Sequence, residues 1–200
     1  MGIRSIARKR NPFRRKDEHL VYPNLLTDRT ATRPFEKVCT DTTLLKHRGK
    51  GYDWNLYLDV FNNEIVGSDV RLSKSGHGAK NHFMALSRFL ELRHQRGFDD
   101  QPTIVHSDQG AIYTSMAFHD RLPSNVIQSM SRAATPTDNP IMEAINGWIK
   151  DDLRYEFHLE SAKDIHALIR RYIDYYNKVR LGYALQYKSP IQYRSELDYR

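Results

Sequence analysis

Two hundred residues, 40% of them hydrophobic and 28% charged, suffice for one compact domain with a tail. No apolar run approaches the roughly twenty residues that a membrane-spanning helix needs. Lys and Arg outnumber Asp and Glu by 31 to 24, and a single cysteine, Cys39, excludes an intrachain disulfide and a Cys-based zinc site.

The positive charge is unevenly spread. Residues 1–18, "MGIRSIARKRNPFRRKDE", hold seven basic and two acidic residues, which leaves the remaining chain near balance. A basic arm on a nearly neutral domain points to a polyanionic partner, most simply nucleic acid, with a merely solvated terminus as the plain alternative. The first twenty residues lack the apolar stretch of a secretory signal, so the expectation is a soluble, cytoplasmic protein with no membrane partner. Residues 1–33, punctuated by Pro12 and Pro23, read as arm and linker, and residues 34–195 as the domain.

From Phe35 onward strand and helix signals alternate. "EKVCTDTTLL" (36–45) is rich in β-branched residues and predicts a strand. "WNLYLDVFN" (54–62) and "EIVGSDVRLS" (64–73) predict a hairpin turning at Asn62–Asn63. Ala79, Phe83, Leu86 and Leu90 recur at helical spacing in residues 78–97, a stretch that ends at Gly97. "TIVHS" (103–107) predicts a fourth strand, residues 115–122 a short helix, and "NVIQSMS" (125–131) a fifth strand. A helix then starts near Asp138 or Asn139 with Pro140 in its first turn, where a missing N–H does no harm. The last long helix opens with Ser161 and Asp164 in a capping-box arrangement and runs to about Arg180. The series predicts an α/β domain with a mixed sheet.

Three carboxylates stand out. Asp108 closes the fourth strand, where functional side chains emerge from a sheet. Asp41 lies inside the apolar first strand, where a carboxylate is costly unless paired, hydrogen-bonded or bound to metal; bonding to Thr40 or Thr42 is the structural alternative. Glu143 shares one helix face with Asn139, Asn146, Gly147, Lys150 and Arg154, while Ile141, Ile145 and Trp148 lie opposite and are expected on the sheet. Taken alone, Glu143 is an ordinary solvated charge. Together the three would form an all-oxygen cluster of the kind that hard Mg²⁺ or Mn²⁺ prefers. No P-loop, nucleophile elbow or paired-histidine zinc motif competes with it.

"TDTT" (40–43), "HSDQGAIYTS" (106–115), "QSMSR" (128–132), "DNPIMEAINGWIKDDL" (138–153) and "YIDYYNKVRLGYALQYKSPIQYR" (172–194) resemble, in this order, the integrase-core motifs of insertion-sequence transposases of the IS-three type. These are similar in turn to retroviral integrases. The resemblance covers residues 20–195. It implies a ribonuclease-H-like fold, α/β with a five-stranded mixed sheet flanked by helices. It also implies a DDE triad of Asp41, Asp108 and Glu143 binding a pair of Mg²⁺ or Mn²⁺ ions. The implied activity is cutting element ends and joining a 3′ hydroxyl to target DNA, with a homodimer or larger synaptic complex as the active form. An upstream-frame helix-turn-helix protein is a candidate partner. Candidate DNA contacts are Arg8, Lys9, Arg10, Arg14, Arg15 and Lys16 of the arm, with Arg132, Asn139, Lys150, Arg154 and Arg180. In the tail, Asn177 is expected to fix the turn after its helix and Arg180 to meet a phosphate. A non-catalytic DNA-binding relative, truncated or recruited, is the competing reading.

Overall fold

A computed structural model of the chain describes residues 19–26, 28, 30–73, 78–132 and 140–199. Five strands form one sheet: β1 (Lys37–His47), β2 (Lys50–Asp59), β3 (Ile65–Leu72), β4 (Thr103–Ser107) and β5 (Val126–Met130), in the order β3-β2-β1-β4-β5. The first three are antiparallel, and β4 and β5 join in parallel. The helices are α1 (Gly78–Gln95), α2 (Met116–His119), α3 (Pro140–Asp151), α4 (Ile165–Lys178) and α5 (Pro190–Glu196).

β2 begins four residues before its apolar run. The reason is the β1–β2 turn, where Arg48 and Gly49 both take positive φ (49° and 71°), as a tight two-residue hairpin requires. The β2–β3 turn passes through Asn63 at φ 57°, a conformation that Asn tolerates.

The sheet buries two apolar layers. On one face Cys39, Trp54, Leu56 and Leu58 meet α3 and α4; on the other Val38, Tyr57, Val66 and Val105 meet α1. α1 comes so close to β3 that a Cβ at Gly67 would stand 2.7 Å from that of Phe89 and 2.8 Å from the Ala85 carbonyl. Residues 20–26 lie along β5 and the turn that follows β4. Leu20 N–H donates to Thr114 O (2.8 Å), Leu25 N–H donates to Ser129 Oγ (2.8 Å), and Leu26 is buried.

Three local expectations are corrected. Trp148 is 55% exposed rather than packed on the sheet; Met142, Ile145 and Ile149 form the buried stripe of α3 instead, and Leu153 continues it in the turn that follows the helix. An exposed indole is stable here because the Arg180 guanidinium covers it at 5.6 Å. The last long helix starts at Ile165, capped by Asp164, whose carboxylate accepts from His166 N–H (2.8 Å). Ser161 does not open a capping box. It ends a short 3₁₀ turn, its hydroxyl donating to His158 O. Asn177 does not fix the turn after α4. Its amide grips Ile65 at the start of β3, accepting from the N–H and donating to the C=O, both at 2.9 Å.

Candidate active site

The parallel ladder between β1 and β4 ends at the pair Cys39↔His106. Two residues further along each strand stand Asp41 and Asp108, so the register itself brings these carboxylates to the same end of the sheet. Asp41 is half-buried on the α3 face, and Asp108 is exposed just beyond β4. Burial raises the Asp41 pKa above its ordinary value, and the Asp108 charge raises it further. Hydrogen bonds and the Lys150 charge act the other way without cancelling the shift. A pair of like charges in a partly desolvated place is under-compensated.

α3 supplies the side chain that answers this. Asn146, buried, donates from Nδ2 to Asp41 Oδ2 at 2.7 Å. Its Oδ1 is also buried and has no hydrogen-bond partner among the described residues. Lys150, one turn on, is exposed on the same side and close enough for its charge to act on Asp41. On β4's side, Asp108 Oδ1 accepts from Gly110 N–H (2.9 Å), and a Cβ at Gly110 would stand 2.9 Å from that same oxygen. The loop therefore needs glycine there to keep the carboxylate in place.

Glu143 is not brought into this pair. It is exposed in the first turn of α3, next to residues 133–139, which lie outside the described residues. Among the described residues no three His, Cys, Asp or Glu side chains stand close enough to hold a metal ion. The donors that do meet are hard oxygens, those of two carboxylates. That set fits a divalent Mg²⁺ or Mn²⁺ and not a soft metal. Asn146 is the residue that sequence reading placed on the right face without giving it a role. Its signal is the four-residue step to Lys150, which keeps both on one side of α3.

Of the candidate DNA contacts, Arg132, Lys150 and Arg154 are exposed. Arg180 is engaged within the chain: its Nε donates to Asp152 Oδ2 at 2.6 Å, and it lies over Trp148 and Tyr176. Asn139 and the arm residues Arg8, Lys9, Arg10, Arg14, Arg15 and Lys16 lie outside the described residues. Among the described residues, no helix is long and apolar enough to cross a membrane.

Comparison with known proteins gives the arrangement its context. An integrase core domain model matches residues 31–136, and a second model of the same description matches residues 124–190. The chain is 35% identical over 184 residues to an uncharacterized transposase-like protein of Haemophilus influenzae, covering 89% of this chain and 79% of that protein. It is 30% identical to a putative transposase InsK for insertion sequence element IS150 of Escherichia coli, covering 87% of this chain but 60% of that one. The HTLV-2 integrase catalytic core domain, solved in complex with magnesium, shares the fold with a TM-score of 0.62 at 18% identity, over 82% of this chain and 98% of that core. The fold is thus ribonuclease-H-like, as the motif order implies.

Proposed function

The chain belongs to the integrase core domain family, as an insertion-sequence transposase of the retroviral integrase superfamily, and from that premise we propose that it cuts the ends of a mobile element and joins the freed 3′ hydroxyl to target DNA. The observation that carries this reading is the meeting of Asp41 and Asp108, with the Asn146 amide and the Lys150 charge beside them.

Asp41, Asp108 and Glu143 would hold a pair of Mg²⁺ or Mn²⁺ ions. Bound there, the metal supplies Lewis-acid activation of the attacking oxygen and charge stabilisation on the phosphate. Asn146 fixes the Asp41 carboxylate by its hydrogen bond. Lys150 would offer a cation to a DNA backbone beside the pair, with Arg154 and Arg132 as further candidate contacts, and the basic arm in residues 1–33 adds a sequence-independent grip next to a catalytic domain of residues 34–195. Joining two element ends calls for at least a homodimer. An upstream-frame helix-turn-helix protein is the partner that would recognise those ends in the cytoplasm.

The test is Mg²⁺-dependent transfer of a 3′-hydroxyl oligonucleotide into supercoiled plasmid. Asp41→Asn, Asp108→Asn and Glu143→Gln are each expected to abolish transfer while the fold is kept, because an amide is nearly isosteric but removes a hard, charged ligand. Near-normal transfer by Glu143→Gln removes that residue from the site. The position of Glu143 outside the pair is the observation that favours a non-catalytic DNA-binding protein. Wild-type chain that binds DNA yet transfers nothing with either metal would establish that second reading.

A further inference from the structure

On the face of β1 opposite Asp41, a chain of polar side chains crosses from the Asp108 loop to the strand that carries Asp41. Tyr113, five residues past Asp108, is buried, and its hydroxyl accepts from Asn55 Nδ2 at 2.9 Å and lies 3.2 Å from Thr40 Oγ1. The same Asn55 amide donates to Thr42 Oγ1 (2.9 Å) and reaches the Asp41 carbonyl at 3.4 Å. Thr42 Oγ1 in turn lies 3.1 Å from His82 Nε2 on α1, whose ring stands edge-on to Tyr113 at 5.2 Å. Both neighbours of Asp41 in β1 are therefore tied, directly or through Asn55, to one phenol.

The other end of that phenol holds Asp108. Tyr113 belongs to the turn that begins at Gly110, where Thr114 N–H donates to Gly110 O at 3.1 Å. Its ring packs beside Gly110, and Gly110 N–H holds the Asp108 carboxylate. The turn is pinned again where Gln128 Nε2 of β5 donates to Tyr113 O at 3.1 Å. Burial keeps the phenol protonated, and the charges of both Asp41 and Asp108 reach it and act in the same direction.

We propose that Tyr113 is a positioning residue that sets the placement of Asp108 relative to Asp41, acting through the Asn55–Thr40–Thr42 network. The proposal rests on the reading of the two carboxylates as one metal site. It adds that their spacing is fixed by a hydroxyl on the far side of the sheet, since the β1–β4 ladder has already ended before either carboxylate. Loss of the hydroxyl leaves the ring and its packing against Phe118 in place, so the turn loosens without a collapse of the core.

The experiment uses the full chain. Mn²⁺ is titrated calorimetrically into wild type, Tyr113→Phe, Tyr172→Phe and Asp108→Asn, and amide hydrogen exchange of residues 108–115 is followed in the metal-free proteins. Tyr172→Phe is the matched control, because it also deletes a buried phenol's hydrogen bond, that to Asp152, which takes no part in the Asn55–Thr40–Thr42 network. Tyr113→Phe is expected to weaken Mn²⁺ binding roughly tenfold, the scale on which outer-shell partners act, and to speed exchange across 108–115 several-fold. Tyr172→Phe should do neither, even where its melting temperature falls as far. Wild-type Mn²⁺ affinity or wild-type exchange in Tyr113→Phe overturns the proposal. If Asp108→Asn binds Mn²⁺ as wild type does, the metal reading fails on its own. Exchange in metal-free Tyr113→Phe then decides whether the phenol holds the Asp108 turn.

Discussion

Two regions of this molecule hold carboxylates in from the solvent, and they are built in opposite ways. At the β2–β3 turn Glu64 is almost completely buried. Arg96, just past the end of α1, reaches both of its oxygens, at 2.9 and 2.6 Å, Arg194 of α5 donates at 3.2 Å and Asn62 at 3.1 Å. Each acceptor is met and the charge is compensated. At the other end of the sheet Asp41 has one side-chain amide, the Thr42 backbone N–H, a lysine acting through space, and a second carboxylate beside it, while the neighbouring Asn146 Oδ1 has no partner among the described residues. A closed cluster holds three elements together; an open one is left short of positive charge. The difference separates a carboxylate kept for stability from a pair kept for binding.

The contrast breaks most visibly at Glu64. Replacement by Ala leaves Arg194 buried without its counter-charge and is expected to cost about 3–5 kcal/mol, read by urea denaturation. A loss below about 1 kcal/mol would mean that the cluster is no more than a surface-type ion pair.

Asp59, the last residue of β2 beside that turn, sharpens the picture through pH. It is fully buried and accepts from Phe35 N–H (2.8 Å) and Phe61 N–H (3.0 Å), yet burial raises its pKa to about 7 from 3.8. A carboxyl with a raised folded-state pKa binds more protons in the folded state than in the unfolded one. Its contribution is therefore fully present below about pH 4 and lost as pH rises to about 7. Stability curves at several pH values for wild type and Asp59→Asn should converge in slope above about pH 7 and differ between those limits. Parallel curves throughout would show that Asp59 is ionised in the fold.

Asn177→Ala leaves the Ile65 N–H and C=O without partners and is expected to cost about 1–3 kcal/mol. Asn177→Asp separates the two accounts of this residue. An Asp still accepts from the Ile65 N–H but sets a second oxygen against the Ile65 carbonyl, so it should be no better than Ala. A residue needed only for the turn after α4 would accept Asp readily.

How much of this the sequence discloses depends on whether the cause is local. β1, β4 and β5 follow from their β-branched runs, α4 from its stripe of Ile165, Leu168, Ile169, Tyr172 and Tyr176, and Asp108 from its place at a strand end. The Glu64 cluster is invisible, because its two arginines arrive from the end of the α1 segment and from α5, and nothing in either stretch marks them as inward-facing. Helical periodicity alone puts Trp148 on the sheet, because its angle is near that of Ile145. What decides otherwise is Arg180, drawn over the indole by its ion pair with Asp152. The side chains behind Asp41 escape notice for a similar reason. Asn55 reads as a polar interruption of a strand until the β1–β2 register sets it opposite Thr42.

The smallest stability effect is expected where the functional effect is largest. Asp41→Asn removes one of two like charges and a desolvated ion, both of which act against the metal-free fold. The new amide keeps an oxygen that accepts from Asn146 Nδ2. Stability without metal is therefore expected to stay within about 0.5 kcal/mol of wild type or to rise. Added Mg²⁺ should reverse the order: wild type gains stability by mass action on its folded state, and Asp41→Asn does not. Paired melting curves with and without Mg²⁺ read both halves at once. Should Asp41→Asn melt several degrees lower in the absence of metal, Asp41 belongs with Glu64 as a structural carboxylate, and the opposition between the two ends of the sheet disappears.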